Sequence, residues 1–236
     1  QDRVKLLFQR LVALAEQNPS VGIVGCYQQS ASRVRWAVFP PSRSVIPGRE
    51  ACRVSLIDSA HVMPQPTAAL YRADLLRAGK PFFPNDQPHS DTTACFEALD
   101  RCDLGVVHEV LAVERVHADQ ITSQMADLAS GDLAYVETVI EYGPRYLSPH
   151  EFEAFKPRVL RAHFRGLGRA VLNLRGREFW TFQHMRMAEL GIEMDHMQVA
   201  IGTLMIMLSY VARPAHAVRQ ARAASRYRMS RCAATQ

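Results

Sequence analysis

The sequence lacks the short motifs that identify several common classes of enzyme. Its 236 residues contain no G-x-G-x-x-G and no G-x-x-x-x-G-K-[ST], which excludes a dinucleotide-binding fingerprint and a P-loop. There is no G-x-S-x-G, so an α/β-hydrolase is disfavoured. Neither C-x-x-C nor H-E-x-x-H occurs, and the histidines are widely spaced, which disfavours a structural zinc site.

Cysteine, lysine and long apolar runs are also scarce. There are five cysteines, an odd number, and no two of them have the C-x-x-C spacing, which favours a reduced, cytosolic protein. Only Lys5, Lys80 and Lys156 are lysines among 28 basic residues. The longest nearly continuous apolar run, 197–212, is shorter than the roughly 18–20 residues of a membrane span. We therefore expect a cytoplasmic protein.

Charge is divided unevenly between the two parts of the chain. Residues 1–157 carry 15 Lys and Arg against 19 Asp and Glu, whereas residues 158–236 carry 13 against 4. This asymmetry predicts that the basic segment lies near an anionic partner. Six of these basic residues form a C-terminal stretch: Arg213, Arg219, Arg222, Arg226, Arg228 and Arg231. With the apolar run 197–212 before it, this stretch could sit at the inner face of a membrane, as a peripheral contact. A solvated tail is the alternative, and the scarcity of aromatic residues disfavours nucleic acid.

Short apolar runs alternate with helical patterns in the first half of the chain, which predicts an α/β fold. Predicted strands lie at 21–26, 33–38, 67–71, 104–107 and 110–116, and predicted helices at 4–16, 48–57 and 92–99. After about residue 119 the pattern becomes helical. Ser148-Pro149-His150-Glu151 predicts a capped helix start, and Pro157 a kink or a break in the helix that follows.

The densest polar cluster is His89-Ser90-Asp91-Thr92, which precedes a predicted helix. The free N–H groups of a first helical turn stabilise a carboxylate, and such a group can remove a proton from a bound hydroxyl. Asp91 is therefore a candidate general base. The alternative is that Asp91 or Ser90 only caps the helix.

A second cluster contains Arg115 and His117, which alternate onto one side of a predicted strand end. An arginine and a histidine together can hold a pyrophosphate, or the histidine can ligate a divalent metal bound to it. The alternative is an exposed pair at the end of a strand.

Four segments, in this order, resemble family 2 glycosyltransferases of the GT-A fold. Residues 18–25 are similar to the strand that follows the donor-site helix in this family, and residues 66–72 to a strand that delivers an arginine before a short helix. Phe82-Phe83 and residues 89–99 resemble the acceptor-site stretch, and residues 113–122 the closing R-x-H segment near the diphosphate. The resemblance covers roughly residues 1–122.

The resemblance implies a partial GT-A domain at residues 1–122, on the acceptor side, followed by a helical extension at residues 123–236. The whole enzyme would move a sugar from a nucleotide-sugar donor to a glycan or lipid-linked acceptor, as a hexosyltransferase does, with inversion. It would use a divalent cation, Mg²⁺ or Mn²⁺.

The resemblance also assigns roles to individual residues. Asp91 would be the catalytic base, and Arg115 and His117 would contact the donor diphosphate or its metal. The acceptor pocket would include residues from two segments, namely His89, Thr67 and Gln65.

The sequence departs from the family pattern in several places. It has no D-x-D motif, and Glu193-Met-Asp195 lies in the helical part. Gln65 stands where glycine is common, and Ser90 where an acidic residue often accompanies the base. Because the chain begins at Gln1, we expect a fragment without its donor-binding half, inactive alone. The alternative is a non-catalytic binding protein built on a decayed transferase domain.

Overall fold

The computed structural model describes residues 2–30, 33–58, 62–77, 82–83, 89–114 and 130–212. The chain divides into two units, residues 1–156 and residues 157–236. The division falls between Lys156 and Pro157, inside a helix. The predicted domain boundary at residue 122 lies outside the described residues.

A curled mixed sheet forms the centre of the first unit. Its strands are β1 (Val21–Ser30), β2 (Arg33–Arg35), β3 (Val45–Ile46), β4 (Ala69–Tyr71) and β5 (Asp103–Glu114). The long strands β1 and β5 pair in parallel, from Val21 opposite Asp103 to Ser30 opposite Glu114. The other three strands pair antiparallel, β2 and β4 with β1, and β3 with β5.

The sequence of β1 explains its central place. Residues 21–26 are apolar or glycine, and all of them are buried, as expected of a strand covered on both faces. Helix α1 (Asp2–Gln17) packs over this pair of strands. Its Leu11 is buried in a core with Val24 of β1 and Val107 of β5.

The remaining helices of the first unit follow the pattern of the sequence. They are α2 (Gly48–Ile57), α3 (Ala73–Leu76), α4 (Ser90–Ala98), α5 (Ser130–Tyr146) and the beginning of α6 (Pro149–Leu172). The predicted capping box at the start of α6 is confirmed. The Ser148 N–H donates to Glu151 at 2.9 Å, and the Glu151 N–H donates to the Ser148 hydroxyl at 3.3 Å.

The second unit contains the rest of α6, then α7 (Arg177–Glu189) and α8 (His196–Ala212). Helices α6 and α8 cross where Gly168 meets Gly202 and Thr203. Glycine is required there, because a Cβ on Gly202 would lie 2.1 Å from the carbonyl oxygen of Arg165. Among the described helices, none combines the length and the apolar content needed to cross a bilayer.

The mixed α/β fold class is confirmed, and several element bounds are corrected. The predicted helix at 48–57 is observed with those bounds. The predicted strands at 104–107 and 110–116 form one strand, β5. The predicted strand at 33–38 ends at Arg35, because Trp36 adopts a φ of 69°. Pro66–Ala68 forms a single 3₁₀ turn, so the predicted strand at 67–71 begins only at Ala69. Helix α6 continues through Pro157 without a break.

Candidate functional site

Helix α4 starts from a left-handed residue. His89 is its N-cap, with φ of 65°, and the His89 carbonyl accepts the N–H groups of Thr92 and Thr93. No side chain caps this helix terminus with a hydrogen bond. Ser90 and Asp91 therefore lie inside the first turn of α4, and neither occupies the N-cap position.

The Asp91 carboxylate lies close to the N-terminus of α4 and is half-buried. The Thr92 N–H donates to its Oδ1 at 2.9 Å. Asp91 makes no ion pair with any residue that the structure describes. The carboxylate is thus held at a helix start without a basic partner among the described residues.

Three aromatic rings form a cluster near this carboxylate. Tyr71, at the end of β4, contacts Phe82 with 5.1 Å between ring centroids and Phe83 with 5.8 Å. Phe82 and Phe83 contact each other edge to face at 4.9 Å. All three rings are half-buried, so the cluster presents part of its surface to solvent. The pairing of Tyr71 with Ile23 of β1 places the cluster beside the central sheet.

Tyr71, Cys95 and Asp91 lie near enough to affect one another electrostatically. Burial is the main cause that raises the pKa of the Tyr71 hydroxyl, and the negative charge of Asp91 adds to it. Burial and then Asp91 raise the pKa of the Cys95 thiol to about 12. Both groups therefore stay protonated at neutral pH. The Tyr71 Oη is buried and makes no hydrogen bond of normal geometry with a described residue.

The predicted acceptor-pocket residues lie on two different elements. Gln65 precedes the 3₁₀ turn that contains Thr67, and this turn leads directly into β4 and Tyr71. His89 precedes α4, and its Nε2 is buried without a hydrogen-bond partner among the described residues. Within the described part of the chain, no hydrogen bond or ion pair joins Gln65, Thr67 or His89 to Asp91. His89 lies two residues before Asp91 at the start of α4, and Thr67 is connected to the site only through β4.

Helix α5 packs against the part of α4 that contains Phe96. Phe96 of α4 is fully buried and stacks on Tyr142 with 4.8 Å between ring centroids. The Tyr146 hydroxyl donates to the Phe96 carbonyl at 2.6 Å. Arg145 donates to Asp100, just beyond α4, also at 2.6 Å. The helix that carries Asp91 is therefore fixed by a helix that follows the predicted transferase segment.

Arg115 and His117, the predicted contacts to the diphosphate, lie outside the described residues. Strand β5 is described as far as Glu114, whose Oε2 lies 3.8 Å from Arg35 Nε. Among the described residues, no three His, Cys, Asp or Glu side chains are grouped so as to hold a metal ion. With no D-x-D in the sequence, the described residues do not fit the divalent cation that the resemblance implies.

A separate, small apolar recess lies along β1 and β5. Its lining includes Cys26, Tyr27, Trp36 and Phe39, and Asp91 is not part of it. Tyr27 contacts His108 through a hydrogen bond of 2.7 Å to Nδ1, and His108 Nε2 lies 3.0 Å from the Arg43 carbonyl. Because a carbonyl can only accept, a neutral His108 carries its proton on Nε2, and Tyr27 donates to Nδ1.

Sequence reasoning did not assign a site role to Tyr71 or Cys95. The spacing of Cys95, four residues after Asp91, puts both on one face of α4 and could have indicated their proximity. Nothing local in the sequence indicates that Tyr71 approaches them, because this depends on the pairing of β4 with β1.

Comparison of the chain with family models, curated proteins and solved structures found no match in any of the three.

Proposed function

We propose that this chain is the acceptor-side part of a family 2 glycosyltransferase with a GT-A fold, and that Asp91 is its catalytic base. The observation that carries the proposal is a half-buried carboxylate in the first turn of α4, without a basic partner among the described residues, beside an aromatic cluster. The order of the four resembling segments supports the choice of family. The first segment contributes residues 21–25 to β1 and the last begins at the end of β5, and the parallel pairing of these two strands is compatible with one domain.

In the proposed reaction, Asp91 accepts the proton of an acceptor hydroxyl. The oxygen then forms a bond to the anomeric carbon of the donor sugar, and the bond from that carbon to the diphosphate breaks. A nucleoside diphosphate leaves with the bonding electrons, and a single displacement inverts the anomeric centre. The resemblance implies that Arg115 and His117 contact this leaving group.

The aromatic cluster supports acceptor binding in the proposal. Tyr71, Phe82 and Phe83 offer an apolar aromatic surface against which a sugar ring or a lipid-linked acceptor can rest, with a few polar groups nearby. His89 adds a buried side-chain nitrogen that has no hydrogen-bond partner among the described residues.

The donor half is the part that these residues do not provide. The sequence has no D-x-D, so no step of the proposal is assigned to a metal bound by the described residues. The four described cysteines are unpaired thiols, which supports the proposed cytoplasmic location. The second candidate, a binding protein that uses the same aromatic surface without catalysis, predicts acceptor binding but no turnover.

The test is transfer of sugar by the protein expressed from its whole reading frame, with a panel of nucleotide sugars and Mn²⁺ or Mg²⁺. We expect Asp91→Asn to lower turnover by at least about 100-fold, because general-base catalysis contributes that much or more. Donor binding, measured by calorimetry, should change little, since the amide keeps the shape of the carboxylate.

Asp132→Asn is the matched control, because Asp132 is also a carboxylate in a first helical turn, that of α5. It should leave turnover unchanged. Full turnover by Asp91→Asn would return Asp91 to a structural role. Glycan binding without turnover by the wild-type protein would favour the non-catalytic candidate.

A further inference from the structure

Helix α8 presents an apolar face to solvent. Its 17 residues contain no Asp, Glu, Lys or Arg. The large exposed side chains on it are Met197, Leu204, Met205, Met207, Leu208 and Val211, with exposed fractions between 50% and 81%. At 3.6 residues per turn, Met197, Leu204, Leu208 and Val211 fall within about 60° of the circumference. Exposed apolar surface of this kind marks a contact with another molecule or with lipid.

The opposite side of α8 is the one that packs within the second unit. Val199 and Gly202 are buried, and Gly202 contacts the backbone of α6 at Arg165. Both lie about half a turn away from the exposed stripe. The exposed face is therefore additional to the packing of the helix. Substitutions on it leave the contacts with α6 intact.

Arginines also line α6, the helix that packs against the other side of α8. Arg158, Arg161, Arg165 and Arg169 are all exposed and follow one another at spacings of three and four residues, so they form one stripe along α6. Arg165 is adjacent to α8, because its Nε donates to Gln198 Oε1 at 2.9 Å. None of the four forms an ion pair with a residue that the structure describes.

The sequence that follows α8 is also positively charged. Residues 213–236 contain six arginines and neither aspartate nor glutamate. A second copy of the chain would bring the same arginines towards one another across a symmetric contact, whereas an anionic surface is complementary to them. An apolar helical face together with arginines on the adjacent helix and in the sequence that follows is a combination that binds the headgroup region of an anionic bilayer.

We propose that the exposed face of α8 and the arginine stripe of α6 bind the surface of an anionic lipid bilayer. Leu204, Leu208 and Val211 enter the boundary between headgroups and acyl chains, and Arg161 and Arg165 contact lipid phosphates. This inference does not depend on the proposed transferase activity. It assigns a membrane contact to residues of the second unit.

The test is co-sedimentation of the protein with vesicles of phosphatidylcholine alone and of equal parts phosphatidylcholine and phosphatidylglycerol. We expect binding to the anionic vesicles only, and weaker binding as salt is added. Leu204→Gln with Leu208→Gln should lower the partition coefficient at least about tenfold. Arg161→Gln with Arg165→Gln should lower it about fivefold for each arginine removed.

Leu174→Gln with Met185→Gln is the matched control, since both residues are exposed and apolar, lie in the same unit and are not on α8. It should retain binding, and circular dichroism should show all variants folded. Equal binding to neutral vesicles, or retained binding by the α8 variant, would overturn the proposal. So would self-association in sedimentation equilibrium that the α8 variant abolishes, without any vesicle binding.

Discussion

The Tyr146 hydroxyl donates to the backbone carbonyl of Phe96 across 2.6 Å, and both residues are buried. This bond joins the last turn of α5 to the helix that carries Asp91. The sequence resemblance covers only residues 1–122, so the support for the candidate base comes from outside it. Part of the helical extension therefore completes the first unit, because α5 packs against α2 and holds α4.

We predict that Tyr146→Phe lowers the free energy of unfolding by about 1–2 kcal/mol, because the variant loses a buried hydrogen bond. Hydrogen exchange should show faster exchange of the amides of α4. Tyr135→Phe is the control, since the Tyr135 hydroxyl donates at the same distance to Leu56 of α2 and not to α4. It should be destabilised without a change in α4. Unchanged exchange in α4 of Tyr146→Phe would show that α5 does not hold this helix.

A second prediction concerns the pH dependence of stability. The Arg145 guanidinium, which bonds to Asp100, holds the pKa of that carboxyl below its usual range. A carboxylate with a lowered pKa in the folded state contributes stability above its unfolded pKa, about 3.9, and loses it as pH falls through the folded value. The pair thus stabilises the neutral protein and ceases to do so in acid.

This can be measured as a double-mutant cycle of Arg145→Gln and Asp100→Asn in urea. We expect a coupling free energy of about 1 kcal/mol or less near neutral pH, because both groups are partly exposed. It should shrink towards zero well below pH ~3.9. A coupling that is the same in acid and at neutral pH would mean that the ion pair is not its source.

The third prediction compares two glycines of the second unit. Gly202→Ala would place a Cβ against the backbone of Arg165, which cannot move aside as a flexible side chain would. We expect a loss of about 1–3 kcal/mol in the free energy of unfolding, as for other overpacked sites. Gly166→Ala in α6 meets no atom within 4 Å and should stabilise by up to about 1 kcal/mol through helix propensity. Thermal unfolding of both variants measures these changes in stability. If Gly202→Ala were as stable as the wild type, α6 and α8 would have to lie further apart than in this structure.

Several elements could be predicted from sequence because their signals are local. Helix α2, residues 48–57, begins directly after Pro47 and has apolar residues at helical spacing. Ser148 and Glu151 have the spacing of a capping box. The single strand β5 was missed, because His108 and Glu109 interrupt its apolar pattern. In the structure His108 bonds to Tyr27, and Glu109 pairs with Arg10, so both polar residues have partners across neighbouring elements.

The candidate site was predictable only in part, for the same physical reason. A helix start near Asp91 follows from local sequence, although α4 begins at Ser90 and not at Thr92. The approach of Tyr71 depends on strand pairing, and that of Tyr146 on the packing of a helix about fifty residues later in the chain. Neither relationship leaves a pattern in the residues themselves.

The parallel pairing of β1 with β5 has a consequence for how the chain is made. Val21 lies opposite Asp103, 82 positions later in the chain, so the centre of the sheet cannot close until the ribosome has released most of the first unit. Until then α1 and β1 expose the apolar surface that later forms the core, a situation in which nascent chains aggregate or recruit chaperones. Translation speed between residues 30 and 114 is therefore a physical variable in the yield of the folded protein.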